Sequence, residues 1–245
     1  MNFIFLPSYN EWKNLPATIK EIKKEIGNKF KYKIVVIDDG STDGTFNNCK
    51  KVFPEVDIIK HKKNLGIGGV FRSIILYTMN VEDNSNVIIM EADGTSSPSL
   101  LPDIIQLLEN GIDIVIASRY RKGGGYRNFP FLRLILSKGA NILFHSLFPF
   151  LKVRDFTIFY RGYKTFCIKN ASIKYGKYFI TSGGFCSNIE FLIKLVKCNH
   201  LKIYEIPFVY DYKKKKGKSK LKIFENLIEY TIFILRIFWF YYFSK

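Results

Sequence analysis

The sequence predicts an α/β fold built on a doubly wound, mostly parallel sheet, and three observations carry that prediction. Two apolar runs, Ile34-Val35-Val36-Ile37 and Val87-Ile88-Ile89-Met90, each stop abruptly in an acidic turn. The turns read Asp38-Asp39-Gly40-Ser41-Thr42-Asp43-Gly44 and Glu91-Ala92-Asp93-Gly94. β-Branched runs bounded by Gly and Asp are the pattern of strands buried on both faces. Strand-like runs also alternate with helical stretches through the first half of the chain, as a parallel sheet with crossover helices requires.

Taken in order, residues 2–6 form a first strand, followed by Pro7-Ser8-Tyr9-Asn10-Glu11 and a helix over about 15–26. The second strand and its acidic turn lead into a helix over about 42–52. A third strand near 56–60 precedes Asn64-Leu65-Gly66-Ile67-Gly68-Gly69 and a helix running to about 79. The fourth strand carries Glu91-Ala92-Asp93, with a helix over 98–109 behind it. A fifth strand, 112–117, ends at Ser118-Arg119-Tyr120. The second half is less regular: a Gly123-Gly124-Gly125 loop, a helix over about 131–147, a segment at 155–163, a helix over 188–198 and a strand over 202–209. There is no linker and no internal repeat.

With 245 residues, 47% of them hydrophobic, the chain can bury the core of one sizeable domain. A net charge of +17 implies an anionic partner: nucleic acid, anionic lipid or a phosphorylated substrate. Cys49, Cys167, Cys186 and Cys198 form no Cys-x-x-Cys pair and read as reduced thiols in a cytosolic setting. His61, His145 and His200 lack metal-ligand spacing and read as core or surface residues. The chain opens directly on a strand, so no signal peptide is expected.

Ligands of open α/β sheets bind outside the carboxyl ends of the strands. Ser41, Thr42 and Asp43 can cap the next helix, but two further acids directly after a buried strand exceed what capping needs. Carboxylates there suit hydrogen bonds from a base or ribose, and Tyr9, at the equivalent end of the first strand, could stack on a base. Glu91 and Asp93, two apart in an extended segment, would share one face and reach a single Mg²⁺ or Mn²⁺ ion. Taken singly, each of these also reads as a solvated turn.

In combination the motifs resemble the family-2 glycosyltransferases with the GT-A fold, closest to the dolichol-phosphate mannosyltransferase and polyprenyl-phosphate sugar synthase group. The residues that carry the resemblance are Pro7-Ser-Tyr-Asn-Glu11, Val35-Val-Ile-Asp-Asp-Gly-Ser-Thr-Asp43, Asn64-Leu-Gly-Ile-Gly68, Glu91-Ala-Asp93 and Ser118-Arg-Tyr120. Gly123-Gly-Gly125, Arg133 with Ser137-Lys-Gly-Ala-Asn141, Asp155-Phe-Thr157 with Arg161, and Gly217-Lys-Ser219-Lys220 complete the set. The likeness covers residues 3–220 and implies a GT-A catalytic domain over 1–220.

The resemblance implies an inverting transfer from a nucleotide-diphosphate sugar, of the GDP-mannose or UDP-glucose type, to a polyprenyl or dolichyl phosphate. Pro7, Tyr9, Glu11, Asp38 and Asp39 would line the nucleotide pocket, and Lys220 would close over the donor diphosphate. Glu91 and Asp93 would hold Mg²⁺ or Mn²⁺, with Thr95 third in that cluster. Arg119, Arg133 and Ser137 would receive the acceptor phosphate, with Asp93, Arg119, Arg133 and Asp155 forming the catalytic set. Asp155 and Arg161 would shape the site beneath the sugar.

Three departures stand out. Glu91 replaces the usual Asp of an Asp-x-Asp, Ile158-Phe159 replaces a small Ser-Gly pair, and Ser187-Asn188 stands where an aromatic residue and Gln are usual.

Residues 221–245 read as a C-terminal amphipathic helix, preceded by a lysine-rich run from Lys213 to Lys222. On a helical wheel Lys222, Glu225, Glu229 and Arg236 share one stripe. A spanning helix would bury Arg236 at a cost of roughly 2.5–3.5 kcal/mol. An in-plane helix on the cytoplasmic face of a membrane avoids this and is the expectation, ahead of packing on the protein's own core. An oligomer mate or membrane-protein partner would use the same helix. The rival readings are a transferase acting on a glycan hydroxyl, with Asp155 as base, and a catalytically inactive membrane adaptor. A nucleic-acid partner is not expected, since no recognition motif accompanies the charge and the acidic strand ends repel phosphates.

Overall fold

The structure, a computed structural model, describes residues 1–214 and 223–243. Its seven-stranded sheet is built around β1 (Asn2–Ser8), with β2 (Tyr32–Asp38) and then β3 (Asp57–Lys60) on one side and β4 (Asn86–Ile89) on the other. These four strands are parallel; the registers Ser8↔Asp38 and Asp38↔Lys60 bring the carboxyl ends of β1, β2 and β3 level, and β4 ends at Ile89 opposite Phe5. Beyond β4 come β7 (Arg161–Lys164), β5 (Ile114–Ser118) and β8 (Ile203–Pro207). β7 runs antiparallel to both neighbours, whereas β5 and β8 are parallel. A second, two-stranded sheet pairs β6 (Gly125–Arg127) with β9 (Val209–Asp211).

The helices are α1 (Leu15–Ile26), α2 (Thr45–Val52), α3 (Gly66–Met79), α4 (Leu101–Glu109), α5 (Phe131–Leu147), α6 (Thr165–Tyr175), α7 (Cys186–Cys198) and α8 (Ile223–Phe243). The apolar strand runs fill the core as expected: Ile34 to Ile37, Val87 to Met90 and Ile114 to Ala117 are all buried. α7 is buried along most of its length, from Cys186 to Leu195, including Asn188, Glu190 and Lys194. Glu190 and Lys194 pair at 2.6 Å. Burial pushes the Glu190 carboxyl up, but Lys194 beside it prevails and holds it below the ordinary glutamate range.

Several boundaries differ from expectation, each for a local reason. The helix expected over 42–52 starts at Thr45, because the Asp43 carboxylate accepts the Thr45 N–H at 3.0 Å and the Trp12 N–H at 3.1 Å. Residues 41–43 are thereby held as a turn against the 9–14 loop. The strand expected over 202–209 splits at Phe208, whose N–H still donates to Ser118 O of β5 at 2.9 Å while its carbonyl accepts the Gly125 N–H of β6 at 3.0 Å, so the chain passes from one sheet to the other. The segment at 155–163 yields β7, whose antiparallel insertion the parallel reading of the sheet does not contain. α6 and β6 have no counterpart in the sequence reading.

Gly68 tests the closeness of this packing. A Cβ at that position would collide with the Ser182 carbonyl and meet Gly183 Cα at 3.1 Å. Since backbone cannot swing aside like a side-chain tip, Gly68→Ala is expected to lose about 1–3 kcal/mol, measurable as a lowered urea midpoint with unchanged slope.

Candidate active site

The crevice at the carboxyl ends of β1, β2 and β4 gathers the residues expected to hold a nucleotide. Pro7 stands half-buried next to the last residue of β1, and Tyr9 and Glu11 follow in a loop tied to the acidic turn after β2. In that tie Asn10 N–H donates to Ser41 Oγ at 2.9 Å, and Thr42 N–H donates to Asn10 Oδ1 at 2.8 Å. The two adjacent aspartates then diverge. Asp38 Oδ1 accepts the Ser41 N–H at 3.1 Å. Its Oδ2 is buried and has no hydrogen-bond partner among the described residues. A buried acceptor costs free energy until a donor reaches it, so Asp38 suits a ligand N–H or hydroxyl.

Asp39, expected to line the same pocket, is instead committed inward. Its Oδ1 bonds His61 Nδ1 at 2.6 Å and accepts the Leu65 N–H at 2.8 Å, and its Oδ2 accepts the Gly66 N–H at 2.9 Å. His61 Nε2 in turn lies 2.7 Å from Ser73 Oγ. The core role read for His61 is thus specific: with Asp39 it fixes the turn that opens α3.

Glu91 and Asp93 leave β4 in a compact turn instead of a straight extension. Asp93 Oδ1 accepts the Thr95 N–H at 3.1 Å and its hydroxyl at 2.5 Å, and Glu91 Oε2 accepts the Ser96 hydroxyl. Burial, and next the Asp93 charge, push the Glu91 carboxyl above the ordinary glutamate range. Two carboxylates in such proximity are a hard-oxygen donor set whose repulsion a divalent cation would relieve. Among the described residues no third His, Cys, Asp or Glu joins them. Phosphate oxygens and water would complete an octahedral shell.

Arg119 and Asp155 form the most heavily bonded unit of the site. Arg119 Nε donates to Asp155 Oδ2 at 2.8 Å, and Nη2 donates to Oδ1 and to Thr157 Oγ1, each at 2.6 Å. Asp155 also accepts the N–H groups of Arg119 and Ile158 at 3.0 and 3.1 Å. Burial raises its proton affinity, but the Arg119 charge and hydrogen bonds prevail and hold it below the ordinary aspartate range. Two expectations are corrected here. Asp155, 0% exposed, cannot serve as a general base. Arg119 can offer a phosphate its charge but not the fork of donors already committed to Asp155.

Arg161, expected to shape the site beneath the sugar, is also 0% exposed, so any such role passes through the groups it holds. Its Nη1 donates to Asn188 O and Oδ1 at 3.2 and 3.1 Å, and its Nη2 to Asp155 O and Phe156 O at 3.2 and 2.8 Å. The departure at Ser187-Asn188 therefore has a structural use: Asn188 receives Arg161. Lys220 lies outside the described residues.

A cavity of about 520 Å³ opens beside this unit. Glu91, Arg119, Ser137 and Thr157 supply polar groups, and Arg133 lines it too, its Nη1 donating to the Tyr212 hydroxyl at 3.3 Å. Its walls are apolar: Leu136 and Leu143 from α5, Tyr230 and Ile234 from α8, and Phe159 with Phe185. The unexpected Ile158-Phe159 pair thus forms part of that wall. Tyr120 and Tyr126, overlooked as site residues, converge with Ser137: their hydroxyls lie 3.2 and 3.0 Å from Ser137 Oγ. Tyr210 also lines the cavity, and burial, followed by the Glu91 and Asp93 charges, pushes its hydroxyl up. The alternation Phe208, Tyr210, Tyr212 carried the signal, but its last two members lay beyond the expected strand end.

α8 packs on the protein through Phe233 and Ile237, both buried. The stripe read as solvent- or headgroup-facing turns inward where it is described: Glu229 Oε1 accepts the Gly184 N–H at 2.7 Å, and Arg236 Nη2 donates to Ser182 Oγ at 2.9 Å. Outward lie Ile232, Leu235, Phe238, Trp239 and Tyr242, beside the exposed Phe131, Leu132, Ile135, Ile142 and Leu143 of α5. Among the described residues no helix is long and apolar enough to cross a membrane.

The family described as Glycosyl transferase family 2 matches residues 3–186. The dolichol-phosphate mannosyltransferase of Pyrococcus furiosus is 30% identical over 236 residues, which are 96% of this chain and 62% of that protein. The chain therefore spans less than two thirds of that relative's length. The polyprenol monophosphomannose synthase of Mycolicibacterium smegmatis is 27% identical over 223 residues, 89% of this chain and 80% of that protein. Among solved structures, glucosyl-3-phosphoglycerate synthase from Mycobacterium tuberculosis, crystallised with Mn²⁺, UDP and glucosyl-3-phosphoglycerate, superposes with a TM-score of 0.69. It is 16% identical and covers 96% of this chain and 79% of its own, a likeness that shows the fold.

Removing one partner of the buried Arg119–Asp155 pair leaves the other uncompensated, so Asp155→Asn is expected to cost about 3–5 kcal/mol at neutral pH. Because the folded Asp155 value is depressed, its contribution is present above the unfolded aspartate pKa and is lost as pH falls through the folded value. Urea unfolding at neutral and acid pH should therefore show the difference between wild type and Asp155→Asn narrowing on acidification.

Proposed function

Because the chain belongs to glycosyl transferase family 2, we propose that this glycosyltransferase moves a hexose from a nucleotide-diphosphate sugar, of the GDP-mannose or UDP-glucose type, to a polyprenyl or dolichyl phosphate. The observation that carries the reading is the cavity beside Arg119 and Arg133, polar at Glu91, Ser137 and Thr157 and apolar along α5 and α8. A phosphate joined to a hydrocarbon chain matches both parts. The names of the Pyrococcus and Mycolicibacterium relatives support the same acceptor class.

On this reading Pro7, Tyr9, Glu11 and Asp38 receive the nucleotide, with the partnerless Asp38 Oδ2 accepting from base or ribose. Glu91 and Asp93, with Thr95 beside them, hold Mg²⁺ or Mn²⁺, which would neutralise charge on the departing diphosphate. Lys220 closes over the same diphosphate. A lipid phosphate is ionised at neutral pH and needs positioning more than a strong base. That demand agrees with a site whose buried Asp155 is committed to Arg119. It disfavours a neutral hydroxyl acceptor, for which Asp155 was the candidate base. Direct displacement inverts the anomeric centre. Arg133 offers its guanidinium charge and Ser137 a hydroxyl to the acceptor phosphate.

The outward apolar residues of α5 and α8 support seating on the cytoplasmic face of a membrane, next to the mouth through which a lipid acceptor would arrive. Replacing Leu235 and Trp239 together by Ser is expected to lower partitioning onto vesicles of zwitterionic and anionic lipid by more than about tenfold. Transfer to a detergent-solubilised acceptor should persist.

The reaction itself is tested by transfer of labelled sugar from UDP- and GDP-sugars to polyprenyl phosphate, with Mn²⁺, with Mg²⁺ and with EDTA. A lipid-linked product that needs metal is expected. Asp93→Ala should abolish it, and Arg133→Ala should lower kcat/KM by about ten- to a hundredfold. Product formed only on a glycan acceptor, or a fully active Arg133→Ala, would overturn the lipid-phosphate reading.

A further inference from the structure

The 182–184 loop lies between two elements that are far apart in sequence. On one side Gly183 O accepts the Gly68 N–H at 2.8 Å. Neither Gly66 nor Gly68 has room for a Cβ: the first would meet Gly183 O at 2.7 Å and the second would strike Ser182 O. On the other side stand Glu229 and Arg236 of α8, seven residues apart and so on one helix face. A Cβ on Gly184 would meet the Glu229 carboxylate itself, so the two are in close contact, though here a side-chain tip and not backbone would have to give way. From beneath, Glu190 Oε2 accepts the N–H groups of Thr181 and Ser182 at 3.0 and 2.8 Å. The loop therefore has little freedom to move independently of α3 or α8.

The start of α3 is also what Asp39 grips, through the Leu65 and Gly66 N–H groups. A contiguous chain of short contacts thus runs from α8, through the loop, to the turn beside Asp38 and Asp39. From these contacts we infer that Glu229 and Arg236 are positioning residues of the nucleotide site, acting through the 182–184 loop on the turn that closes its β2 side. The inference rests on the donor-site reading above. It gives the polar stripe of α8 a use that neither solvent exposure nor headgroup contact provides. It also makes α8 common to both substrates, since Tyr230, Thr231 and Ile234 line the apolar cavity.

Two measurements on the full chain in detergent test this. The first is calorimetric binding of UDP and of GDP with Mn²⁺, and the second is amide hydrogen exchange at Leu65, Gly66 and Gly68 without nucleotide. Glu229→Leu removes the acceptor of the Gly184 N–H and should weaken nucleotide binding by about tenfold. It should also speed exchange at those three amides. Glu229→Gln keeps an acceptor oxygen and should stay near wild type in both. Arg236→Met loses a bond to a neutral hydroxyl and should shift both in the same direction by less. A cooperatively melting Glu229→Leu protein with wild-type affinity or wild-type exchange would overturn the inference. If that variant does not fold, wild-type affinity and exchange in Arg236→Met would overturn it. Wild-type protein that binds neither UDP nor GDP would overturn the donor-site reading, and this inference with it.

Discussion

The buried pairing of Arg119 with Asp155 is the interaction on which the active-site end of the molecule depends. Two opposite charges removed from water are tolerable only when almost every donor and acceptor around them is matched. The structure meets that demand by drawing five elements onto residues 154–158. β5 brings Arg119, and Glu205 of β8 accepts the N–H groups of Arg154 and Asp155 at 2.9 and 3.0 Å. Asn141 of α5 accepts the Phe156 N–H at 2.6 Å and donates to Thr157 Oγ1 at 3.1 Å. β7 supplies Arg161, which α7 steadies through Asn188. The turn that borders the cavity is thereby fixed before any ligand arrives, the kind of preorganisation that positioning catalysis requires.

The same logic separates residues that hold the site from residues that can meet a ligand. Asp38 and Asp39 are adjacent and chemically identical, yet one keeps a buried oxygen without a partner among the described residues while the other is saturated by His61 and two backbone N–H groups. Arg133 lines the cavity from α5, whereas Arg161 is sealed within the core. Charge type alone could not distinguish the members of either pair. For the aspartates the internal hydrogen bonds of each do, and for the arginines burial does.

α8 shows how an amphipathic pattern can be read with the wrong face outward. Its polar stripe suggests contact with water or lipid headgroups, because isolated charges usually seek solvent. In the fold that stripe finds a loop of small residues whose N–H and hydroxyl groups need partners, so Glu229 and Arg236 satisfy the protein. The face left outside is the apolar one, and α5 exposes apolar residues as well. Periodicity along the chain tells that a helix has two unlike faces; which of them meets the protein depends on the polarity of what lies opposite.

The sequence by itself determined the fold class, the buried parallel strands, the acidic turns at their carboxyl ends and the whole extent of α5. Each is encoded locally, in β-branched runs, Asp-Gly punctuation and helical periodicity. It also determined which residue types would gather at the crevice, since strand ends in a parallel sheet converge there whatever the detail. Only the tertiary structure decided the antiparallel insertion of β7, the split between β8 and β9, and the inward commitment of Asp39, Asp155 and Arg161. Those outcomes depend on hydrogen-bond partners many tens of residues distant, such as Glu205, 50 residues from Asp155, and Ser118 for Phe208. A short window of sequence cannot contain a bond whose other half is supplied by a different element.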